Sequence, residues 1–190
     1  MRKLSVVLML CFVVMTIPMV YGIAQGPKAV EEWFKKLSYR KQKVTKLHFY
    51  FHETVSGKNP TVMQVAQSNI TDKSWTSFVL VMMMDDPLKA GPEPTSEIIG
   101  RAQGLFGSAG LDEFGLLMTM NLHFTDGKYN GSTLAVLGRN PVPNLYREMP
   151  IVGGSGVFRL PRGIATVKTY SFNATTADAI VEYNIVVLHS

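Results

Sequence analysis

The sequence predicts an all-β fold, an antiparallel barrel or sandwich of about eight strands, and three observations carry that prediction. Several stretches alternate apolar and polar residues with a period of two, as a half-buried strand does. Turn-forming Gly, Pro, Asn and Asp residues divide these stretches at the spacing of a meandering sheet. No long helical periodicity follows the first two dozen residues. At 190 residues, 46% hydrophobic and 17% charged, the chain suits one compact domain without internal repeats.

The N-terminus stands apart from that domain. Arg2 and Lys3, the apolar run Leu4 to Val20 and the small residues Gly22 and Ala24 read as a secretory signal peptide over residues 1–24. The run is short for a membrane-spanning helix and contains Pro18, so cleavage is preferred to anchoring and the mature protein is expected to be exported and off the membrane. The single cysteine, Cys11, leaves with the signal, which removes both disulfide and thiol chemistry. The formal charge of +5 loses Arg2 and Lys3 and becomes about +3, too small to indicate nucleic-acid binding.

Residues 25–46 read as a lead-in segment, with a short amphipathic turn or two at Val30–Leu37 and a basic run from Arg40 to Lys46. The barrel domain is expected over 47–190. Leu47 to Thr54 is a strand that sets Leu47, Phe49, Phe51 and Glu53 on one face. Thr61 to Gln67 follows a Gly-Lys-Asn-Pro turn. Val79 to Met84 is a continuous apolar run, expected to be buried on both sides and to end at Asp85-Asp86-Pro87. Gly91 to Thr95 is a Pro-rich loop, and Gly100 to Gly104 resumes an extended path. Leu116 to Leu137 is the clearest local signal: strict alternation through Phe124, then Asp126-Gly127, which suits a type I′ hairpin turn. Tyr146–Val152, Gly163–Phe172 and Ala179–His189 complete the strands, with a glycine turn at 153–156.

Familiar chemical signatures are missing. His48 and His52 share a strand face about 13 Å apart, too far to chelate one ion, and His123 and His189 lie on other strands. No metal and no cofactor is therefore expected. Gly153-Gly154-Ser155-Gly156 lacks the Lys-Ser/Thr of a P-loop and the closing glycine of a nucleophile elbow. The remaining polar residues near apolar walls are Glu53, Asp85, Asp86, Arg147, Thr169 and Glu182. Among these, Glu53 and Arg147 are either pocket residues or a structural salt bridge at a barrel mouth.

In order and spacing, Leu47–Glu53, Asp85-Asp86-Pro87, Gly100-Arg101-Ala102-Gln103-Gly104, Val152–Gly156 and Arg162-Gly163-Ile164-Ala165 resemble the plant dirigent family. The resemblance spans nearly the whole mature chain. It implies an eight-stranded antiparallel barrel, a homotrimer, and export to the plant apoplast. It also implies a protein with no oxidative centre, which binds phenoxy radicals of monolignol-type phenols made by an external laccase or peroxidase and directs their stereoselective coupling toward lignans.

Position by position, the resemblance puts the family's first-strand carboxylate on Glu53, where aspartate is typical of pinoresinol-forming members, its arginine on Arg147 and a pocket threonine on Thr169. A second pocket aspartate falls on Asn140, two tyrosines on Phe106 and Ser108, and a phenylalanine of the last strand on Val181. Phe49, Phe51 and Asp86 complete the expected substrate-binding set. An amide at 140 cannot transfer a proton, so the pinoresinol mechanism does not carry over whole. Glu31–Phe34, Gly127–Thr133, Leu137–Pro141 and Arg147–Val152 are similar to stretches of the legume pterocarpan synthases, which implies the alternative of an isoflavanol dehydratase working through a quinone-methide-like intermediate. A non-catalytic cell-wall binding protein is the third possibility, and nothing in the sequence requires it.

Three sequons, at Asn69, Asn130 and Asn173, agree with export and are expected on outward turns. Enzymatic deglycosylation of the plant-expressed protein should lower its apparent mass and leave its circular dichroism unchanged; a protein carrying no glycan would count against both export and turn placement.

Overall fold

The computed structural model describes residues 26–190, so the signal-peptide expectation for 1–24 lies outside the described residues. A helix, α1 (Pro27–Lys35), comes first, with Pro27 in its first turn and Lys35 in its last. The lead-in is thus more helical than its sequence suggests. None of the α1 residues is buried, and Trp33 lies under two guanidinium groups, Arg40 at 5.7 Å and Arg159 at 5.3 Å from the ring centre.

Nine strands follow: β1 (Lys43–Glu53), β2 (Val62–Ala66), β3 (Val81–Lys89), β4 (Ile98–Ser108), β5 (Leu116–Phe124), β6 (Thr133–Asn140), β7 (Arg147–Ser155), β8 (Arg162–Phe172) and β9 (Ala179–His189). The sheet order is β1-β9-β8-β7-β6-β5-β4-β3-β2, and β1 also pairs with β3. That last pairing closes eight strands into an antiparallel barrel and leaves β2 as a ninth, short strand. β1 and β2 lie end to end along one edge of β3: Phe51 faces Leu88, and Val62 faces Met84. Thr61 N–H bonds Thr54 O at 2.8 Å and Thr54 N–H bonds Thr61 Oγ1 at 3.0 Å, pinching off the excursion between the two strands.

Alternation along each strand sends one set of side chains into the barrel. The buried core comprises Phe49 and Phe51, Met84 and Leu88, Ala102, Met118 through Phe124 at every second residue, Leu134 and Val136, Met149 and Ile151, Ala165 and Val167, and Tyr183, Ile185 and Val187. Phe49 stacks on Tyr183 at 5.6 Å. One end is plugged by aromatic rings, with Phe158 lying 5.8 Å from Phe124, 4.9 Å from Tyr129 and 5.1 Å from His189. The opposite end is looser, since Met82, Phe106, Leu116, Thr169 and Val181 are only partly buried.

Several local expectations are corrected. Val79 to Met84 is not buried on both sides: the strand begins at Val81, Met84 points inward and Met83 is exposed, because a barrel strand has one dry face only. Nor does it end at Asp85, since β3 runs through Pro87 to Lys89. The Asp85 N–H donates to Thr61 O, so the Pro87 nitrogen, two residues on, faces the same edge at the gap between β2 and β1, where no hydrogen-bond donor is needed. Asp126-Gly127 is not a type I′ turn; Asp126 is extended (φ −140°) and the connection spans 125–132 with positive φ at Gly127 and Gly131. β1 starts at Lys43, four residues early, where it pairs with His189. β4 is longer than predicted, and Gly153 to Ser155 continue β7, with the turn starting at Gly156.

Glycines permit the tight coiling of the barrel wall. A Cβ on Gly104 would stand 2.2 Å from Thr119 O and 2.6 Å from Met120 Cα, both backbone atoms of the neighbouring strand. Gly104→Ala should therefore destabilise the fold by about 1–3 kcal/mol, read as a lower urea midpoint at unchanged slope. An unaltered midpoint would show that β4 and β5 separate at no cost.

Candidate functional site

The looser end of the barrel collects the polar interior. Register pairs interior positions on neighbouring strands: Phe51 opposite Val181, Val181 opposite Thr169, Val167 opposite Arg147, Asn140 opposite Leu116, Met118 opposite Phe106, and Ala102 opposite Asp86. Phe49, Phe51, Glu53, Asp86, Phe106, Asn140, Arg147, Thr169 and Val181, all expected from the sequence as site residues, therefore share the interior face. Phe49 sits deepest, against Tyr183 and Phe124.

Two other polar residues do not belong there. Asp85 is exposed on the outside and holds Arg101 in an ion pair, while Glu182 lies outside with His48 at 2.8 Å. Each is one residue from an inward position, which a period of two sends to the opposite face. Ser108 is buried but donates its hydroxyl to Thr76 O, fixing the loop before β3 and contributing no free group.

Glu53 and Arg147 are not a salt bridge. Arg147 is buried, its Nη1 donates to Val142 O at 3.2 Å, and its Nε and Nη2 have no partner. The loop after Asn140, stiffened by Pro141 and Pro143, thus supplies the one anchor of the guanidinium. Burial lowers the Arg147 pKa, and the nearby Tyr183 hydroxyl pulls the other way. Asn140 is buried beside it with an unpartnered Oδ1.

The two interior carboxyls behave unusually. Glu53 is held up to about 7, first by burial and then by the Asp178 carboxylate. Asp178 itself is kept low by the backbone N–H of Val55, which donates to its Oδ1 at 2.8 Å, so it stays charged beside Glu53. Asp86 has no exposed surface and is raised to about 8, chiefly by burial; the Thr61 hydroxyl donates to its Oδ1 and opposes the rise, while the Glu53 charge adds to it. Tyr183 is pushed up by complete burial, and feels Arg147, Glu53 and Asp86 together. Glu53, Asp86, Arg147 and Tyr183 thus form one electrostatic unit.

Tyr183 and Thr61 were not singled out by sequence reasoning. The alternation Ala179, Val181, Tyr183, Ile185 could have placed Tyr183 inward. Nothing local could have found Thr61, which reaches Asp86 only because β1 and β2 meet along β3. A separate recess runs along the outside of α1, lined by Pro27, Val30, Glu31, Phe34 and Lys35, and holds none of these groups. Among the described residues no cluster of three or more His, Cys, Asp or Glu could hold a metal ion. The three sequon asparagines, Asn69, Asn130 and Asn173, are all exposed in connections between strands.

Raised carboxyl pKa values set the sign of a pH dependence. The folded state binds the protons of Glu53 and Asp86 more tightly than the unfolded chain, so their contribution is complete below about pH 4 and is lost as pH rises through about 7 and 8. His52 and His189, both lowered by burial, act oppositely and weaken the fold as pH falls below about 6.5. Above about pH 6.5, where the histidines no longer change, stability in urea unfolding should fall as pH rises to about 8, and Asp86→Asn should flatten that alkaline limb. An alkaline limb identical in that variant would remove Asp86 from the balance.

Comparison with known proteins agrees with this architecture. The family described as "Dirigent-like protein" matches residues 44–188. The chain is 48% identical over 182 residues to Dirigent protein 23 of Arabidopsis thaliana, covering 95% of each, and 48% identical over 154 residues to Pterocarpan synthase 1 of Glycyrrhiza echinata, covering 80% of this chain and 82% of that protein. Among solved structures, one pterocarpan synthase dirigent protein superposes with a TM-score of 0.74 at 48% identity, over 80% of this chain and 87% of that one. A second gives 0.72 at 48%, over 77% and 96%.

Proposed function

We propose a function from the premise that this chain belongs to the dirigent family: a secreted apoplastic protein that binds phenoxy radicals of monolignol-type phenols and imposes stereochemistry on their coupling. The observation that supports it is a barrel interior that carries unpartnered polar atoms on Asp86, Asn140 and Arg147 among apolar walls, with Phe106 and Val181 only partly buried at one end. Such a chamber works by orientation, replacing random encounter with a fixed approach of two rings. The radicals come from an external laccase or peroxidase. Arg147, with two unpartnered nitrogens, and Asn140, with a free carbonyl oxygen, are suited to hold phenolic oxygens. Thr169 stands across from Val181 near the opening and can position a second ring.

A second reading has its own support. Glu53 is neutral up to about pH 7, so it can protonate a leaving hydroxyl, and Arg147 can stabilise phenolate charge. That equipment suits dehydration of an isoflavanol through a quinone-methide intermediate, and a 48% identical relative bears the name Pterocarpan synthase 1. Under either reading the protein acts as a homotrimer. The exposed outer residues Ile164 and Val186, paired across β8 and β9, together with Val152, offer an apolar face for neighbouring copies.

Two incubations separate the readings. Coniferyl alcohol with laccase should give product in enantiomeric excess if the protein directs coupling, whereas an isoflavanol turned over with no oxidant identifies the dehydratase. Glu53→Gln and Arg147→Leu should each keep secretion and oligomeric state and lose selectivity or turnover by at least about tenfold, which is about 1.4 kcal/mol of transition-state discrimination. Wild-type rate and product distribution in both variants would reject the assigned site.

A further inference from the structure

The barrel closure brings two carboxyls face to face. Phe51 pairs with Leu88 across the β1 and β3 contact, so two residues forward in β1 and two back in β3 the same antiparallel register sets Glu53 against Asp86, both on the interior face. Asp86 has no exposed surface; its Oδ1 accepts the Thr61 hydroxyl, and its Oδ2 is buried without any partner. A buried oxygen of an ionised carboxylate with no donor is costly, and protonation replaces that charge with the smaller cost of an unpaired hydroxyl. Two carboxylates this placed cannot both ionise at low cost in a dry interior.

The charged and titratable groups around the pair do not neutralise it. Arg147 on β7 and Tyr183 on β9 share its interior space, and Asp178 in the loop between β8 and β9 adds negative charge. Arg101 on β4 is the cation acting on Asp86, but it is spent outside the barrel on Asp85, whose own charge opposes it. Glu53 is among the groups that raise Asp86, and the repulsion between two ionised carboxyls is mutual. Whichever acid ionises first meets a neutral neighbour and the second meets a charge, and Asp86, with no exposed surface and an unpartnered Oδ2, is the one placed to keep its proton.

We propose that Glu53 and Asp86 are a coupled carboxyl pair that keeps one proton at neutral pH, that Asp86 Oδ2 carries it, and that Asp86 is thereby a positioning residue fixing the charge of the catalytic Glu53. Glu53 loses its proton first and Asp86 retains the second, so the pair never presents two negative charges to a phenolic ligand in the working range. In the dehydratase reading this lets Glu53 cycle between acid and base beside a neutral neighbour. In the coupling reading it leaves a single negative charge in the chamber. The pairing goes beyond both readings, because it concerns the resting protein.

The test is 13C NMR of the Asp and Glu side-chain carboxyls in the full mature protein, titrated from about pH 4 to about pH 10. In the wild type Asp86 should titrate last, above neutral pH, with a biphasic Glu53 signal. Glu53→Gln should lower the Asp86 midpoint by at least about one pH unit, a tenfold change in acidity, and Asp86→Asn should reduce the Glu53 curve to one phase. Thr61→Val, which removes the donor to Oδ1, should move the Asp86 midpoint up; it serves equally if Asp86→Asn fails to fold. In whichever activity assay gives product, Asp86→Asn should shift the alkaline limb of the pH–rate profile. An Asp86 midpoint unchanged in Glu53→Gln, or both carboxyls ionised at pH 6 in the wild type, would overturn the pairing. A coupled titration with no product in either assay would instead uphold the pairing and reject the functional readings.

Discussion

The structure depends on one closure, the short contact between β1 and β3 at Tyr50–Phe51 and Leu88–Lys89. Without it the sheet has two free edges and its interior is a solvated face. β1 alone cannot cover β3, and the chain solves this by leaving the edge at Thr54, returning at Thr61 and laying β2 along the remaining length. The junction is stitched by backbone and hydroxyl bonds between those two threonines. It is also where a proline is tolerated inside β3, since that point of the edge asks for no donor.

The same junction organises the chemistry. Because β1 ends at the seam and not at the rim, Glu53 sits opposite a middle residue of β3, and that residue is Asp86. Because β2 starts there, Thr61 turns its hydroxyl onto Asp86. Burial then dominates both carboxyls, and the interior guanidinium of Arg147 makes no ion pair with either, its Nη1 donating to Val142 O. The interior is thus a set of unpaired polar groups among aromatic walls. An interior ion pair would have consumed the groups a phenolic ligand needs, and its absence leaves desolvation to set their acidity.

The two ends of the barrel differ for reasons of side-chain size. Phe124, Tyr129 and Phe158 stop one end, with Tyr129 and Phe158 supplied by the connections between strands. At the other end the inward positions are Phe106, Leu116, Thr169 and Val181, which are only partly buried.

Sequence alone determined the fold class and the inward face, because period-two alternation is local and one-sided burial enforces it: Phe49, Phe51 and Glu53, or Met118 through Phe124, could be assigned from the chain itself. It also determined which residue types were available for chemistry. Local pattern was least reliable where neighbours changed, as at Pro87, where an apparent strand end lies mid-strand, and at Asp126, where a dipeptide signal yielded to a longer loop. Only the tertiary structure decided which of the polar residues meet. Asp85 and Asp86 are adjacent in sequence, yet one pairs with Arg101 in solvent and the other is buried against Thr61. Local alternation sends the two to opposite faces, but the partner each one meets, 16 and 25 residues away, is set by barrel register, which no local periodicity encodes.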